Sequence, residues 1–148
     1  SLILLEVESN SDVTYRIYDW GNVDFSGKQR ELGINKALDV IDFSSLGVSK
    51  CEQIRIPAHS YRRNLLIKSE KFVMESIEFS ARRIKMKLDT MRFYILTVIQ
   101  GRGKFFYSSK KVKSLSFKAG ETYFIPAYMG KYEIASRGKC KIICSYVE

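Results

Sequence analysis

The sequence predicts a mainly β protein, a sandwich or barrel of short strands with one short helix. Three observations predict it. Short apolar or alternating segments recur at near-regular spacing from residue 52 onward, separated by glycine, proline and polar turns. One segment, residues 34–41, spaces its apolar residues as a helix does. The chain has 148 residues and 45% hydrophobic content, enough for a packed core of ordinary domain size.

The elements follow in order. Residues 2–9 read as a strand, with Leu5 and Val7 facing one way and Glu6 and Glu8 the other. Residues 14–18 are short and β-prone. Residues 21–27 hold two glycines and a Ser-Gly pair, a turn signal. Ile34, Ala37, Leu38 and Ile41 give the helical spacing. Residues 43–47 read as a linker that divides the chain near residue 45.

Strands are then expected at 52–56, ahead of Pro57, and at 64–67. Another covers 71–79, with Val73, Glu75, Ile77 and Phe79 on one side. In 81–88, Ile84, Met86 and Leu88 oppose Arg83, Lys85 and Lys87. Residues 93–99 form a nearly continuous apolar run, which suits a strand buried on both faces. Gly101-Arg102-Gly103 reads as a hairpin turn, with 104–107 as the return strand. Segments 114–117, 121–126, 131–135 and 140–146 complete the set. Gly120 permits a tight turn, and Pro126 ends ladder pairing.

The formal net charge is +9, unevenly divided. Residues 1–50 carry 5 Lys/Arg against 8 Asp/Glu, a net of −3, and residues 51–148 carry 20 against 8, a net of +12. The basic part suits either an anionic partner or a solvated lysine-rich surface, and its lysines form no single block. No apolar run is long enough to span a bilayer, and no charged segment precedes an apolar stretch as in a signal peptide. The expectation is a cytoplasmic protein with neither a membrane nor a nucleic-acid partner.

Cys51, Cys140 and Cys144 are odd in number and irregular in spacing, which argues for free thiols. His59 is the single histidine, so neither a zinc site nor a nucleophile–base pair is readable. Gly101-Arg102-Gly103-Lys104 lacks the spacing of a phosphate-binding loop. Lys104-Phe105-Phe106-Tyr107 sets a cation beside aromatic rings, which in a strand alternate inward and outward.

Two candidate groups stand near the start. Asp12 and Arg16 are four residues apart and would share a face in a strand. Arg16 offers a permanently charged donor fork suited to a phosphate or an enediolate oxygen. Asp12 could orient Arg16 or move a proton; an exposed salt bridge is the alternative for the pair.

The stretch Ser11-Asp12-Val13-Thr14-Tyr15-Arg16, with Arg30-Glu31-Leu32 and Lys36-Ala37-Leu38-Asp39-Val40, resembles type I mannose-6-phosphate isomerases, the zinc-dependent cupin enzymes. The segments Ile99-Gln100-Gly101-Arg102-Gly103 and 117–127 also look like a cupin. The resemblance implies a cupin, or jelly-roll, barrel preceded by the last strands of a catalytic cupin barrel. It divides the chain into residues 1–45, ending the catalytic barrel, and 46–148, a non-catalytic cupin domain. It implies interconversion of mannose 6-phosphate and fructose 6-phosphate, with Arg16 in the active site and Asp12 beside it.

Glu6 matches a strand glutamate of the family, facing either the pocket or solvent. Lys36 falls in a family segment and is either a substrate contact or a solvated helix residue. Gly33 stands where many relatives have histidine. The implied zinc would take its ligands from polypeptide upstream of this chain, which reads as a fragment or an excised domain. The implied partners are a phosphorylated hexose and the upstream catalytic half. The alternative reading is a metal-free cupin module that binds a sugar or an anion.

Overall fold

The computed structural model describes residues 4–8, 10–44, 51–108 and 112–147. The chain divides into two compact units, Ser1–Ser49 and Lys50–Glu148. The expected linker at 43–47 falls largely on residues outside those described, as does the boundary near 45.

In the first unit, helix α1 covers Ile34–Val40 and buries Ala37. Residues 4–8 and 14–18 form no strand, contrary to the periodicity. A strand is stabilised by its ladder, and among the described residues these segments have no strand to pair with. Among the described residues here, a single isolated bridge joins Val23 to Gln29 across the expected turn.

Among the described residues, the second unit holds ten strands. These are β1 (Ile54–Ile56), β2 (Arg62–Lys68), β3 (Val73–Ser80), β4 (Arg83–Lys87), β5 (Tyr94–Gln100), β6 (Arg102–Ser108), β7 (Val112–Lys118), β8 (Thr122–Ile125), β9 (Lys131–Ser136) and β10 (Lys139–Tyr146). They form a six-stranded sheet, β1-β2-β3-β10-β5-β8, and a four-stranded sheet, β4-β9-β6-β7. All pairings are antiparallel.

The sheets close over Ile77, Ile84, Leu96, Val98, Phe105, Ile134 and Ile142, all at most 2% exposed. Alternation explains this: β4 buries Ile84 and Met86 and exposes Arg83, Lys85 and Lys87. β5 likewise alternates, with Tyr94, Leu96 and Val98 buried and Ile95 exposed. The expectation of a strand buried on both faces is therefore corrected for β5. It applies instead to β3, where 73–77 are all buried.

Gly101 is not the turn of a hairpin. β6 pairs with β7 and β9, whereas β5 belongs to the other sheet. Gly101 is a corner with φ +96°, where a Cβ would run into the carbonyl oxygen of Lys139. The same hand-over between sheets occurs at β3–β4, β7–β8 and β9–β10 on this side, and at β4–β5 and β8–β9 at the opposite end. Four sheet-switching turns therefore gather at one end of the barrel. Their backbones are tied together: Ala81 N donates to Gly138 O at 3.2 Å, Ser136 N to Arg82 O at 3.1 Å and Ala119 N to Gly101 O at 2.9 Å.

Candidate functional site

Arg16 sits in a loop built by polar contacts. Gly33 N donates to the Arg16 carbonyl at 2.8 Å, joining the start of the loop to the residue before α1. Between them, Asp24 organises a turn: its Oδ1 accepts from Ser26 N at 2.8 Å and from Lys28 N at 3.1 Å. The Arg16 side chain is 28% exposed. Its Nη1 donates to Glu31 O at 3.4 Å, and its Nε lies 3.7 Å from Asp19 Oδ1.

The acid beside Arg16 is thus Asp19, three residues on, and not Asp12. Residues 12–16 form no strand, so the i, i+4 alignment of Asp12 and Arg16 does not arise. Asp12 is exposed, as are Glu6 and Lys36. Asp19 is buried and receives both arms of Arg30, Nε donating to Oδ2 at 2.7 Å and Nη2 to Oδ1. That forked bond holds the Asp19 carboxyl below the ordinary carboxylate range, and Arg16 adds to the effect. Periodicity could not single out Asp19 or Arg30. The signal was an acid and an arginine flanking one glycine-rich turn.

A second polar group lies within the barrel unit. Glu75, buried on β3, accepts Arg63 Nε at 2.6 Å and Nη2 at 2.9 Å, and Tyr146 Oη at 2.9 Å. Burial, followed by the bond to Glu75, raises the Tyr146 phenol. The Tyr132 hydroxyl is buried with no hydrogen-bond partner among the described residues. Burial pushes the Cys140 thiol up to about 11 and that of Cys144 up to about 12. Both therefore stay neutral.

Among the described residues, no three of His, Cys, Asp and Glu are grouped to hold a metal ion. His59 is exposed, and its flanks carry no carboxylate. The donor set of the described residues therefore does not fit zinc. Among the described residues, no helix is long and apolar enough to cross a membrane.

Two concavities belong to the barrel unit. A wide basin of about 1630 Å³ opens where the four sheet-switching turns meet. A smaller apolar groove of about 450 Å³ runs between Tyr107, Leu115 and the 123–129 segment. Neither is lined by Glu6, Asp12, Arg16 or Lys36.

The relatives fit this architecture. The chain is 27% identical to mannose-6-phosphate isomerase ManA of Bacillus subtilis over 144 residues, covering 94% of this chain and 42% of that protein. It is 22% identical to mannose-6-phosphate isomerase of Streptococcus mutans, covering 98% of this chain and 43% of the relative. The crystal structure of the mannose 6-phosphate isomerase from B. subtilis superposes with a TM-score of 0.75 at 27% identity, covering 93% of this chain and 41% of that one. The chain thus spans about two fifths of the length of the relatives it matches. The family model for the cupin domain of mannose-6-phosphate isomerase matches residues 63–147, from β2 through β10 and more than half of the chain. With two antiparallel sheets closing on an apolar core and that match across them, the chain belongs to the mannose-6-phosphate isomerase cupin domain family.

Proposed function

We propose that this chain is the C-terminal portion of a cytoplasmic aldose–ketose isomerase that interconverts mannose 6-phosphate and fructose 6-phosphate. Residues 1–45 would end the catalytic barrel, and 46–148 would form a second, non-catalytic cupin domain. One observation carries the reading. Similarity to an isomerase runs over 94% of the chain, so it takes in the Arg16 loop as well as the barrel covered by the family model.

The reaction moves a proton between C2 and C1 of the sugar. Breaking the C2–H bond of the aldose leaves its electron pair in a C1–C2 double bond and charge on the former carbonyl oxygen. Protonation at C1 and at that former carbonyl oxygen, with loss of the O2 proton, then gives the ketose. The Arg16 guanidinium is a hydrogen-bond donor and not a general base. Its role is to donate hydrogen bonds to that oxygen or to the 6-phosphate. The contacts to Glu31 O and Asp19 occupy Nη1 and Nε and leave Nη2 available to a ligand. Holding the guanidinium before substrate arrives reduces reorganisation during the reaction.

Asp12 is exposed and is kept as the carboxylate that helps the proton transfer. Glu6 and Lys36 are proposed to contact the substrate. The zinc that the family resemblance implies would be held by ligands outside this chain.

The test is Arg16→Ala in the full-length protein, with kcat/KM measured on mannose 6-phosphate. Loss of one donor to a developing oxyanion predicts a fall of about 100- to 1,000-fold. Arg16→Lys should restore only part of it, because the planar fork is gone. Turnover of Arg16→Ala within about threefold of the parent would remove Arg16 from the mechanism.

A further inference from the structure

The basic residues of the second half look scattered along the sequence, but the topology collects them. Arg82 lies in the β3–β4 turn and Arg102 follows the β5–β6 corner. Lys118 ends β7, Arg137 lies in the β9–β10 turn, and Lys139 begins β10. Each of the four sheet-switching turns therefore brings at least one cation to the same rim. Lys104, two residues along β6 from Arg102, adds another from the outer face of the four-stranded sheet.

All six line the wide basin. Glu121 is the one carboxylate among its described lining, and it is already engaged. It accepts Tyr123 Oη at 2.6 Å and Lys118 N at 2.9 Å. Arg83 is engaged too, with Glu133 at 2.5 Å and its guanidinium over the Phe106 ring at 4.0 Å. Arg102, Lys104, Arg137 and Lys139 form no ion pair with any described residue. Uncompensated positive charge of this density on a folded rim stabilises the compact state poorly. It suits the capture of an anion.

The rim is also rigid. Besides the three backbone bonds between turns, Ser136 Oγ donates to Arg102 O at 2.9 Å, linking the β9–β10 turn to the start of β6. The cations therefore stand on an ordered frame, which lowers the ordering cost of binding. The basin exceeds the 300–1,000 Å³ common for a single small ligand, so its occupant should be extended and carry several charges. The outward ring, Phe106, is covered by Arg83. Among the described lining residues no open aromatic face is offered to a nucleobase, and recognition would run through phosphate oxygens.

We propose that this rim is a binding site for an oligophosphate, an anion of three or more linked phosphates, distinct from the Arg16 loop and independent of the isomerase reading. Whether the phosphates are free or carried by a nucleotide is left to the test.

The test is calorimetric titration of the whole chain with inorganic tripolyphosphate. Saturable binding is expected, weakening about tenfold or more between about 50 and 200 mM salt. Arg102→Ala and Arg137→Ala should each weaken it about tenfold, as loss of one charged phosphate contact would. Arg102→Lys should keep most of the affinity if the variant's melting temperature is unchanged. Lys85→Ala and Lys87→Ala remove the same charge from β4 outside the basin, and each should leave affinity within about twofold.

Equal binding of ATP and tripolyphosphate would support recognition of the phosphate chain alone. ATP binding more than tenfold tighter would overturn the phosphate-only assignment. So would a single-stranded oligonucleotide that outcompetes tripolyphosphate at equal phosphate concentration. Absence of saturable binding, or equal losses in the rim and β4 variants, would overturn the site itself.

Discussion

Residues 50–148 and residues 1–49 are held together by different physics. The barrel unit rests on ladders and burial, with every strand paired and a contiguous apolar core. Among the described residues of the first unit, only Ala37 and Asp19 are buried. Its order comes from short polar contacts: the Asp24 turn, the Gly33–Arg16 backbone bond and the Asp19–Arg30 fork. The first kind of structure is sensitive to volume, and the second to charge. The contrast bears on the role proposed for Arg16, since a cation proposed to meet a substrate is better held by bonds that leave part of it in reach than by burial that covers it.

The strongest way to break the comparison is to add one carbon to the barrel. Gly103 on β6 lies opposite Ser136 of β9 and Phe117 of β7. A Cβ there would overlap the Ala135 carbonyl oxygen and come within 2.7 Å of the Phe117 ring. Neither backbone nor a packed ring can retreat without opening the β6–β9 ladder. Gly103→Ala should cost at least about 3 kcal/mol, measured as a fall in denaturant midpoint at unchanged m-value. Gly138→Ala meets nothing within 4 Å and should stay within about 0.5 kcal/mol. Equal effects for the two would mean that close approach does not set the barrel's tolerance.

The same division governs what could be read from the sequence. Alternation in β4 exposed its inner face directly, because a half-buried strand imprints a period of two. The helix at 34–40 was legible from its spacing. Pairing was not legible. Gly101-Arg102-Gly103 has the composition of a hairpin turn, yet it passes the chain between sheets, since composition records local backbone freedom and not the partner strand. Residues 14–18 have strand propensity but no ladder, and propensity without a partner is weak.

The candidate site was half legible. Arg16 was singled out by its motif. Asp19, which stands beside it, was hidden because a turn sets their contact and no periodicity records it. The basic rim was hidden for a related reason: its cations come from four turns that only the jelly-roll topology unites.

A gentler probe sharpens the contrast from within the core. Tyr132 is 2% exposed, and its hydroxyl has no partner among the described residues. Burial raises that phenol well above its ordinary value, so it stays protonated and its donor goes unused. An unsatisfied buried donor is a net cost, and Tyr132→Phe removes it while preserving the ring. The variant should be more stable by about 1 kcal/mol, seen as a rise of about 4 °C in Tm. A fall in Tm would show that the hydroxyl has an acceptor the described residues do not supply. In that case volume alone would not govern this part of the barrel.

The smallest effect tests the charge-held unit. Asp19 is ionised more readily than an ordinary aspartate, chiefly because Arg30 binds its charged form, with Arg16 contributing. A carboxyl whose folded value is depressed adds stability above its unfolded value, and that stability disappears as pH falls through the folded value. The loop around Arg16 should therefore be intact at neutral pH and loosen only in acid, below the usual aspartate range. Observing the Asp19 carboxyl carbon by NMR during an acid titration gives the midpoint directly. Arg30→Ala should move that midpoint upward toward the ordinary value, and the Gly33 amide should lose exchange protection at the same pH. A midpoint in the ordinary range for the parent, or one unmoved by Arg30→Ala, would mean that the fork does not organise the loop. Charge would then no longer separate the first unit from the second.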